Sequence, residues 1–356
     1  MANDVYEYNF GHRPNQGNIQ HLTIKKLDGY DADAWLLSPP CQPYTRQGLQ
    51  KDADDLRASS FLKLLEILPL LCKPPAFLFI ENVVGFESSV SHDILVEALK
   101  KAEFSIQEFI LTPLQLGIPY SRPRYFCLAK RRPFCFSYPQ FNNQLLDNLG
   151  PAAPTFSVSV SQTLDSSPHT NHSLELPTGN FSHDYPCKAV KEYLEDQLFD
   201  EGGLDDSPCM ETHSANIDGK KLEHNTFEVP GYLIDRWGDV FDVVTPNSRR
   251  CCCFTKSYGR FVKGTGSFIA TKLTNEHGLE QLSSEGDSGG IMKSNLCLKQ
   301  LGLRYFTPRE IANLHSFPKN FGFPDRITIK QRYALLGNSL SVAVVASLLR
   351  YLFRNN

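Results

Sequence analysis

The sequence lacks the features that mark a membrane or secreted protein. No apolar run reaches the roughly 18 residues that a membrane helix needs, since the nearest, Val342 to Phe353, is shorter and contains Arg350. The first residues hold Asp4 and Glu7 and no apolar core, so we expect no signal peptide. We therefore expect the ten cysteines to be reduced thiols in the cytosol or the nucleus.

The sequence also lacks a metal-binding cysteine pattern and an excess of positive charge. No C-x-x-C pair occurs, so zinc spacing is absent. Neighbouring side chains in Cys251-Cys252-Cys253 point to opposite faces of an extended chain and cannot bind one ion together. The net charge of −3 excludes a generally basic nucleic-acid binder, although it leaves room for a local basic cleft.

What is present indicates a folded α/β protein. The 356 residues are 41% hydrophobic and 21% charged, which suits two domains or one large catalytic core with an insertion. In the first third, apolar runs alternate with helical periodicity, and this pattern predicts a parallel, doubly wound sheet. The predicted strands are 34–37, 76–80, 104–111 and 125–129, and the predicted helices are 59–71 and 92–102.

Beyond about residue 140 the composition changes. Asn, Ser, Pro and Thr dominate to about residue 180, and an acidic stretch follows at 192–206. These segments have little periodicity, so we interpret them as linker and loops. Organised sequence resumes near Phe227, and a final helix is predicted at 341–353.

A cysteine follows the first predicted strand within Ser38-Pro39-Pro40-Cys41-Gln42-Pro43. Open α/β sheets bind ligands beyond the carboxyl ends of their strands, which is where Cys41 would lie. The prolines fix φ and stiffen the loop, as suits a nucleophile held for attack. The alternative is a proline-rich turn with an incidental buried thiol, and a single loop cysteine on its own favours it.

Two further motifs place charged side chains near the same sheet edge. Glu81 and Asn82 directly follow the second predicted strand. A carboxylate there is costly without a partner or a task, although both residue types also cap helices.

Arg122 and Arg124 share one face of an extended chain, where two guanidinium groups suit a phosphate or a base edge. A pair of surface salt bridges is the alternative.

Together, the thiol, the carboxyl group and the guanidinium groups suit addition to a pyrimidine. C5 of cytosine is a poor nucleophile, but a thiolate added at C6 turns C5 into an enamine-like carbon that accepts a methyl group. A carboxylic acid can share a proton with N3, an arginine can orient the ring, and the base must leave its stack. A thiol protease would need a histidine beside the cysteine, and His12, His21 and His92 lie in no such setting.

Four motifs, in this order and spacing, resemble those of the cytosine-5 methyltransferases. They are Ser38-Pro39-Pro40-Cys41-Gln42-Pro43, Glu81-Asn82-Val83-Val84-Gly85-Phe86, Arg122-Pro123-Arg124-Tyr125-Phe126 and Leu336-Gly337-Asn338-Ser339. Segments 253–259, 264–267 and 303–314 are similar to the branch directed to aspartate tRNA, whose members resemble DNA methyltransferases in sequence. The resemblance covers residues 1 to about 140 and 230 to 356.

The resemblance implies a Rossmann-like sheet that uses S-adenosylmethionine, together with a smaller target-recognition domain. Residues 1–145 would form the catalytic core, 146–300 the linker and target-recognition domain, and 301–356 a segment that returns to the core. Roles follow for the matching residues, with no metal. Cys41 would be the nucleophile, and Glu81 would be the N3 partner. Arg122 and Arg124 would clamp the base and the backbone. S-adenosylmethionine would contact Ile19, Gln20, Ser38 and Asn338, and the RNA would contact Cys253, Lys256 and Tyr258. Gln20 stands where the family usually has an acid. Arg249, Arg250, Arg260 and Lys263 would add phosphate contacts.

The start of the sequence departs from the family. It matches the helix after the family's second strand, so the glycine-rich cofactor loop and the ribose-binding acid are not found. We therefore expect an N-terminally shortened chain that binds S-adenosylmethionine weakly and exposes Trp35, Leu36 and Leu37. The expected function is tRNA cytosine-5 methylation by a monomer. The alternatives are DNA cytosine-5 methylation, or an inactive RNA-binding form without the cofactor loop.

Overall fold

The computed structural model describes residues 1–44, 52–153, 187–195, 227–272 and 295–354. The α-helices in these residues are α1 (Ala2–Phe10), α2 (Ile24–Tyr30), α3 (Ser59–Ile67), α4 (Val90–Lys101), α5 (Gly231–Trp237), α6 (Asn295–Gln300), α7 (Pro308–Leu314), α8 (Ile329–Gly337) and α9 (Val342–Leu352). The strands are β1 (Ala34–Leu37), β2 (Phe77–Val83), β3 (Phe104–Leu111), β4 (Arg124–Arg131), β5 (Leu145–Leu146), β6 (Val243–Val244), β7 (Phe268–Ala270) and β8 (Leu303–Tyr305). The linker predicted before residue 180 lies outside the described residues from 154 onward, and the acidic stretch lies outside them from 196 onward.

Five strands form the main sheet in the order β1-β2-β4-β3-β5. β1 runs parallel to β2, but β4 is antiparallel to both β2 and β3. The prediction of a parallel sheet is therefore wrong for β4. A parallel neighbour needs a crossover, usually through a helix. The segment between β3 and β4 contains only the short 3-10 helix Pro113–Leu116, so the chain turns back on itself.

Helices cover both faces of this sheet. On one face, α3 and α4 pack against Leu78 and Ile80 of β2. On the other face, α9 packs with Phe79 of β2 and with Phe109 of β3. Burial on both sides explains why β2 is a nearly continuous apolar run. The final predicted helix does return to this sheet, with Ser341 just before its first turn.

The first strand lies at the edge of the main sheet as far as the structure describes it. Leu36 is 56% exposed, as expected. Trp35 and Leu37, however, are partly buried against the core that contains α3 and α4, so the expectation that they are exposed holds only in part. Side chains alternate along a strand, and this alternation sends Leu36 to the face opposite the other two.

A second, smaller sheet has the order β6-β7-β8. Its core contains Ile234 of α5, Phe268 of β7 and Leu298 of α6. A separate aromatic cluster that includes Tyr120, Phe254 and Tyr258 packs around α7 and α8. This cluster positions the functional site, because it holds the 253–258 segment near the start of β4.

The segment Ile329–Leu352 is long and apolar enough, by composition alone, to span a membrane. The structure divides it into α8 with 9 residues and α9 with 11 residues, with a break at Asn338 to Ser341. Each is shorter than the roughly 20 residues that a spanning helix needs. The apolar side of α9 instead packs in the core of the main sheet.

Candidate active site

A cleft of about 880 Å³ opens beyond the carboxyl end of β1 and contains Cys41. Its walls come from the loop after β1, the start of β4, the 253–265 segment and the end of α8. The sequence predicts a ligand site at this edge, and the structure has a cleft there. The charged residues among its described lining are all basic: Arg122, Arg124, Lys256, Arg260 and Lys263.

Cys41 is half-buried, and its thiol is free. Its carbonyl oxygen accepts a hydrogen bond from the backbone N–H of Tyr44 at 3.0 Å, which closes a tight turn after the prolines. The Tyr44 ring then packs edge-on against Phe86, with centroids 4.9 Å apart. The turn is thus anchored to the core, and Cys41 is presented to the cleft rather than sealed inside the protein.

Glu81 lies inside β2, opposite Phe126 of β4. It is 9% exposed. The Ser38 hydroxyl donates to Glu81 Oε2 at 2.5 Å, and Arg124 Nε lies 3.5 Å from Oε1. The helix-cap alternative for Glu81 is therefore wrong, because its carboxylate bridges the loop after β1 and the first residue of β4. The pKa of Arg124 is lowered, first by burial and then by the charge of Arg122.

Arg122 has a different environment from Arg124. It is 4% exposed, and its guanidinium donates to backbone carbonyls and to a thiol. Its acceptors are Phe254 O at 3.2 Å, Gly337 O at 2.9 Å, Ser339 O and Cys253 Sγ at 3.2 Å. The surface salt-bridge alternative is wrong for this residue. Arg122 acts as a buried clamp that joins β4, the 253–254 segment and the end of α8.

Gly337 explains the tight contact in this clamp. A Cβ atom added at this position would lie 2.2 Å from the backbone nitrogen of Lys256. Real Cβ atoms essentially never come this close, so the position requires glycine. The motif Leu336-Gly337-Asn338-Ser339 therefore has a packing role, because it lets the end of α8 lie directly against the wall that carries Lys256.

Behind Arg122 lies a buried hydrogen-bond chain that no motif in the sequence predicts. Tyr120 Oη and His315 Nε2 are 2.9 Å apart, and His315 Nδ1 lies 3.1 Å from Leu340 O. Arg122 Nη1 contacts Tyr120 Oη at 3.5 Å. Burial, followed by the charge of Arg122, lowers the pKa of His315 to about 3. His315 is therefore neutral, and it donates to Leu340 O through Nδ1 and accepts from Tyr120 through Nε2.

The structure brings some of the implied contact residues together and separates others. Cys253, Lys256 and Asn338 line the Cys41 cleft. The Ser38 hydroxyl instead donates a hydrogen bond to Glu81. Ile19 and Gln20 are not among the described lining residues. They lie in a short 3-10 helix packed against α3, where the Gln20 side chain donates to Ser59 Oγ.

The expectation that Tyr258 contacts RNA is wrong, because its side chain is buried and is not among the described residues that line the cleft. It is 2% exposed. Its hydroxyl donates to Ser267 O at 2.8 Å, and the same hydroxyl oxygen accepts from the Phe306 N–H at 2.9 Å. A buried tyrosine is stable when its hydroxyl finds such partners. Its role is to hold the cleft wall together. The described residues contain no cluster of three His, Cys, Asp or Glu side chains arranged to hold a metal.

The chain is similar to known proteins along nearly its whole length. The family model for C-5 cytosine-specific DNA methylase matches residues 1–354. The tRNA (cytosine(38)-C(5))-methyltransferase of Bos taurus is 38% identical, over 99% of this chain and 90% of its own length. The DNA (cytosine-5)-methyltransferase of Dictyostelium discoideum is 35% identical, over 100% of this chain and 86% of its own.

A solved structure is also similar. The crystal structure of the S. pombe Dnmt2 methyltransferase superposes with a TM-score of 0.69 at 28% identity. The match covers 98% of this chain and 86% of that one. The likeness therefore extends through both sheets, and it agrees with the Rossmann-like fold that the motifs implied. The chain belongs to the family of C-5 cytosine-specific DNA methylases.

Proposed function

We propose that this protein transfers a methyl group from S-adenosylmethionine to C5 of a cytosine in tRNA, through a covalent adduct with Cys41. The observation that carries the proposal is the position of Cys41 in a cleft whose described charged lining is wholly basic. Beside it, Glu81 is held between Ser38 and Arg124. The proposal therefore combines a nucleophile and cations that line the cleft with a carboxylate that lies beside one of those cations, Arg124.

Each group has a defined task in the proposed reaction. The Cys41 thiolate adds to C6 of an unstacked cytosine, and the Glu81 carboxyl group shares a proton with N3 as charge builds on the ring. Arg124 orients the base, whereas the buried Arg122 holds the walls of the cleft. S-adenosylmethionine, when bound, supplies the methyl group that C5 takes and leaves as S-adenosylhomocysteine. Transfer of the C5 proton to a water molecule and expulsion of the Cys41 thiolate then restore the aromatic ring.

The residues present fit parts of S-adenosylmethionine. Asn338 is exposed in the Cys41 cleft and offers a carboxamide to a polar group. Ile19 is 42% exposed but lies outside the described lining of the cleft, so its contact with an adenine ring stays a prediction. Titration calorimetry of the 356-residue chain with S-adenosylmethionine tests this fit and also tests the expectation of weak binding. Asn338→Ala should weaken binding, and an unchanged affinity would remove Asn338 from the cofactor site.

RNA is the preferred substrate in this proposal. Support comes from relatives named tRNA (cytosine(38)-C(5))-methyltransferase, at up to 38% identity. Duplex DNA is the second candidate, because the Dictyostelium discoideum relative is named a DNA (cytosine-5)-methyltransferase. Transfer of labelled methyl groups to tRNA transcripts and to duplex DNA, compared at saturating S-adenosylmethionine, decides between them. Faster transfer to DNA would overturn the tRNA proposal, and Cys41→Ala should abolish both reactions.

We propose that the small sheet β6-β7-β8 forms the centre of the target-recognition domain. β8 pairs with β7, which supports a boundary near Phe306, slightly later than residue 300. Residues from α7 onward would then rejoin the catalytic core. The monomeric state and the cytosolic or nuclear location stay predictions from the sequence.

A further inference from the structure

Two exposed aromatic rings stand at the Cys41 cleft. Trp237, the last residue of α5, is 40% exposed, and Phe261 is 57% exposed. Both line the cleft together with Cys41. Large apolar rings exposed beside a ligand site indicate that a binding partner covers them.

The backbone beneath each ring is fixed. The Phe261 N–H donates to Ser257 O at 3.0 Å, and its carbonyl accepts from Thr265 Oγ1 at 2.7 Å. At Trp237, the next residue continues the hydrogen-bonding of α5, because Gly238 N–H bonds to Ile234 O. The rings are therefore held in the cleft wall by ordered segments, and they are not side chains of a loose loop.

The arginine that precedes each aromatic residue places its guanidinium group over the ring. The Arg236 guanidinium carbon lies 5.3 Å from the Trp237 ring centroid, and that of Arg260 lies 5.3 Å from the Phe261 centroid. A guanidinium over a ring adds a cation–π contact and places positive charge beside the aromatic face. Such pairs suit a nucleobase stacked on the ring with its phosphate near the arginine.

We infer that Trp237 and Phe261 stack on unpaired bases next to the target cytosine and so select a single-stranded RNA loop over paired nucleic acid. The inference rests on the proposed function and names the feature of the substrate that the site reads. In a loop, bases beside the target are free to splay out and stack on side chains. In a duplex those bases remain stacked on one another and leave both rings uncovered. The basic lining residues attract either substrate, so the rings supply the discrimination.

The test uses the transcript and the cytosine that the wild-type protein methylates, located by bisulfite sequencing. Trp237→Ala and Phe261→Ala should each lower kcat/KM for this loop about tenfold, the effect of losing one stacked base. Their Kd for the same transcript, with its loop paired to a complementary oligonucleotide, should change less than twofold. Tyr232→Ala is the matched control, because Tyr232 lies on α5 and is 69% exposed but is not among the described lining residues.

A second readout detects stacking directly. With 2-aminopurine next to the target cytosine, binding of the wild-type protein should quench its fluorescence, and the alanine variants should quench less. Trp237→Leu and Phe261→Leu keep apolar bulk without an aromatic face, so they should behave like the alanine variants if folding is intact. Unchanged loop kcat/KM and unchanged quenching, or equal weakening toward loop and paired RNA, would overturn the inference.

The outcomes also separate this inference from the proposed function. A wild-type protein that methylates duplex DNA and no RNA would refute the tRNA substrate. A wild-type protein that methylates RNA, with variants that keep its preference for the loop, would refute only the role of the two rings. If no transfer is seen at all, 2-aminopurine is placed at each loop position of the tRNA transcript in turn, and quenching that the alanine variants lose still decides whether the rings stack on bases.

Discussion

The hydroxyl of Ser38 donates a hydrogen bond to Glu81 Oε2 at 2.5 Å, joining the loop that carries Cys41 to the strand that carries the carboxylate. The resemblance implied instead that Ser38 contacts the cofactor. In the structure it orients the group proposed to share a proton with N3. Arg124 approaches the other carboxylate oxygen at 3.5 Å, so both oxygens of Glu81 are engaged.

Ser38→Ala should lower kcat about tenfold, because a hydrogen bond to a charged group contributes about 1.5–3 kcal/mol. KM for S-adenosylmethionine should stay within twofold. Steady-state methyl transfer with varied cofactor measures both parameters. Ser88→Ala, at an exposed serine whose hydroxyl bonds to Gly85 O, is the control. A raised KM for the cofactor with unchanged kcat would show that Ser38 serves the cofactor instead.

Arg122→Lys should reduce the free energy of unfolding by about 3 kcal/mol, because a lysine cannot serve all the acceptors of the buried guanidinium. Arg124→Lys is the matched comparison. Its side chain is 19% exposed and is near one carboxylate, so it should cost less than about 1 kcal/mol while lowering kcat. Urea unfolding of the two variants measures the difference. Equal loss of stability would contradict the clamp assigned to Arg122.

His92 should make stability depend on pH near neutrality. Burial lowers the pKa of this imidazole, but the hydrogen bond from Nε2 to Glu108 Oε1, at 2.6 Å, and the charge of Glu108 outweigh burial and raise it. The folded state therefore holds the proton more tightly. The resulting stability is fully present below the unfolded pKa of about 6.5 and is lost as pH rises through the folded pKa. Urea unfolding from about pH 6 to pH 9 measures this effect. The free energy of unfolding of the wild-type protein should decline over this range, and that of His92→Gln should lack the decline due to His92. An identical decline in both proteins would contradict the prediction.

His315 should have the opposite effect. Its folded pKa of about 3 lies below the unfolded value, so the unfolded chain takes up the proton first as pH falls. Its contribution to the free energy of unfolding is present above about pH 6.5, and below that pH it is lost at about 1.4 kcal/mol per pH unit. His315→Gln keeps one donor and one acceptor for Leu340 and Tyr120. The variant should therefore lose less stability between pH 6 and pH 4 than the wild-type protein, and a parallel loss would show that His315 is not buried and neutral.

The sequence predicted the parts of the fold that depend on local pattern. β1 and β3 have the predicted bounds, because each is an apolar or alternating run with clear ends. The direction of β4 was not predictable in this way. It depends on what connects β3 to β4, and a strand's own residues carry no record of its direction.

The candidate site also contains residues that the sequence predicts and residues that it does not. The order of the motifs pointed to Cys41, Glu81 and Arg122, and the structure gives each a place at or beside the cleft. The burial of Tyr258 and the role of His315 could not be anticipated, because both depend on partners far along the chain. Tyr258 bonds to Phe306, and His315 bonds to Tyr120. A single tyrosine or histidine gives no local signal of such contacts.

The proposed mechanism depends above all on the attack of Cys41 on C6 of a cytosine in RNA. The most direct measurement is incubation of the protein with S-adenosylmethionine and RNA that carries 5-fluorocytosine at the methylated position, followed by denaturing electrophoresis and peptide mass analysis. Fluorine at C5 blocks the elimination that would release the thiol, so we expect a protein–RNA adduct that survives denaturation and maps to Cys41. Cys41→Ala should form none, while Cys253→Ala, which alters the other thiol lining the cleft, should still form it. An adduct of equal yield in Cys41→Ala, or one that maps to Cys253, would contradict the account.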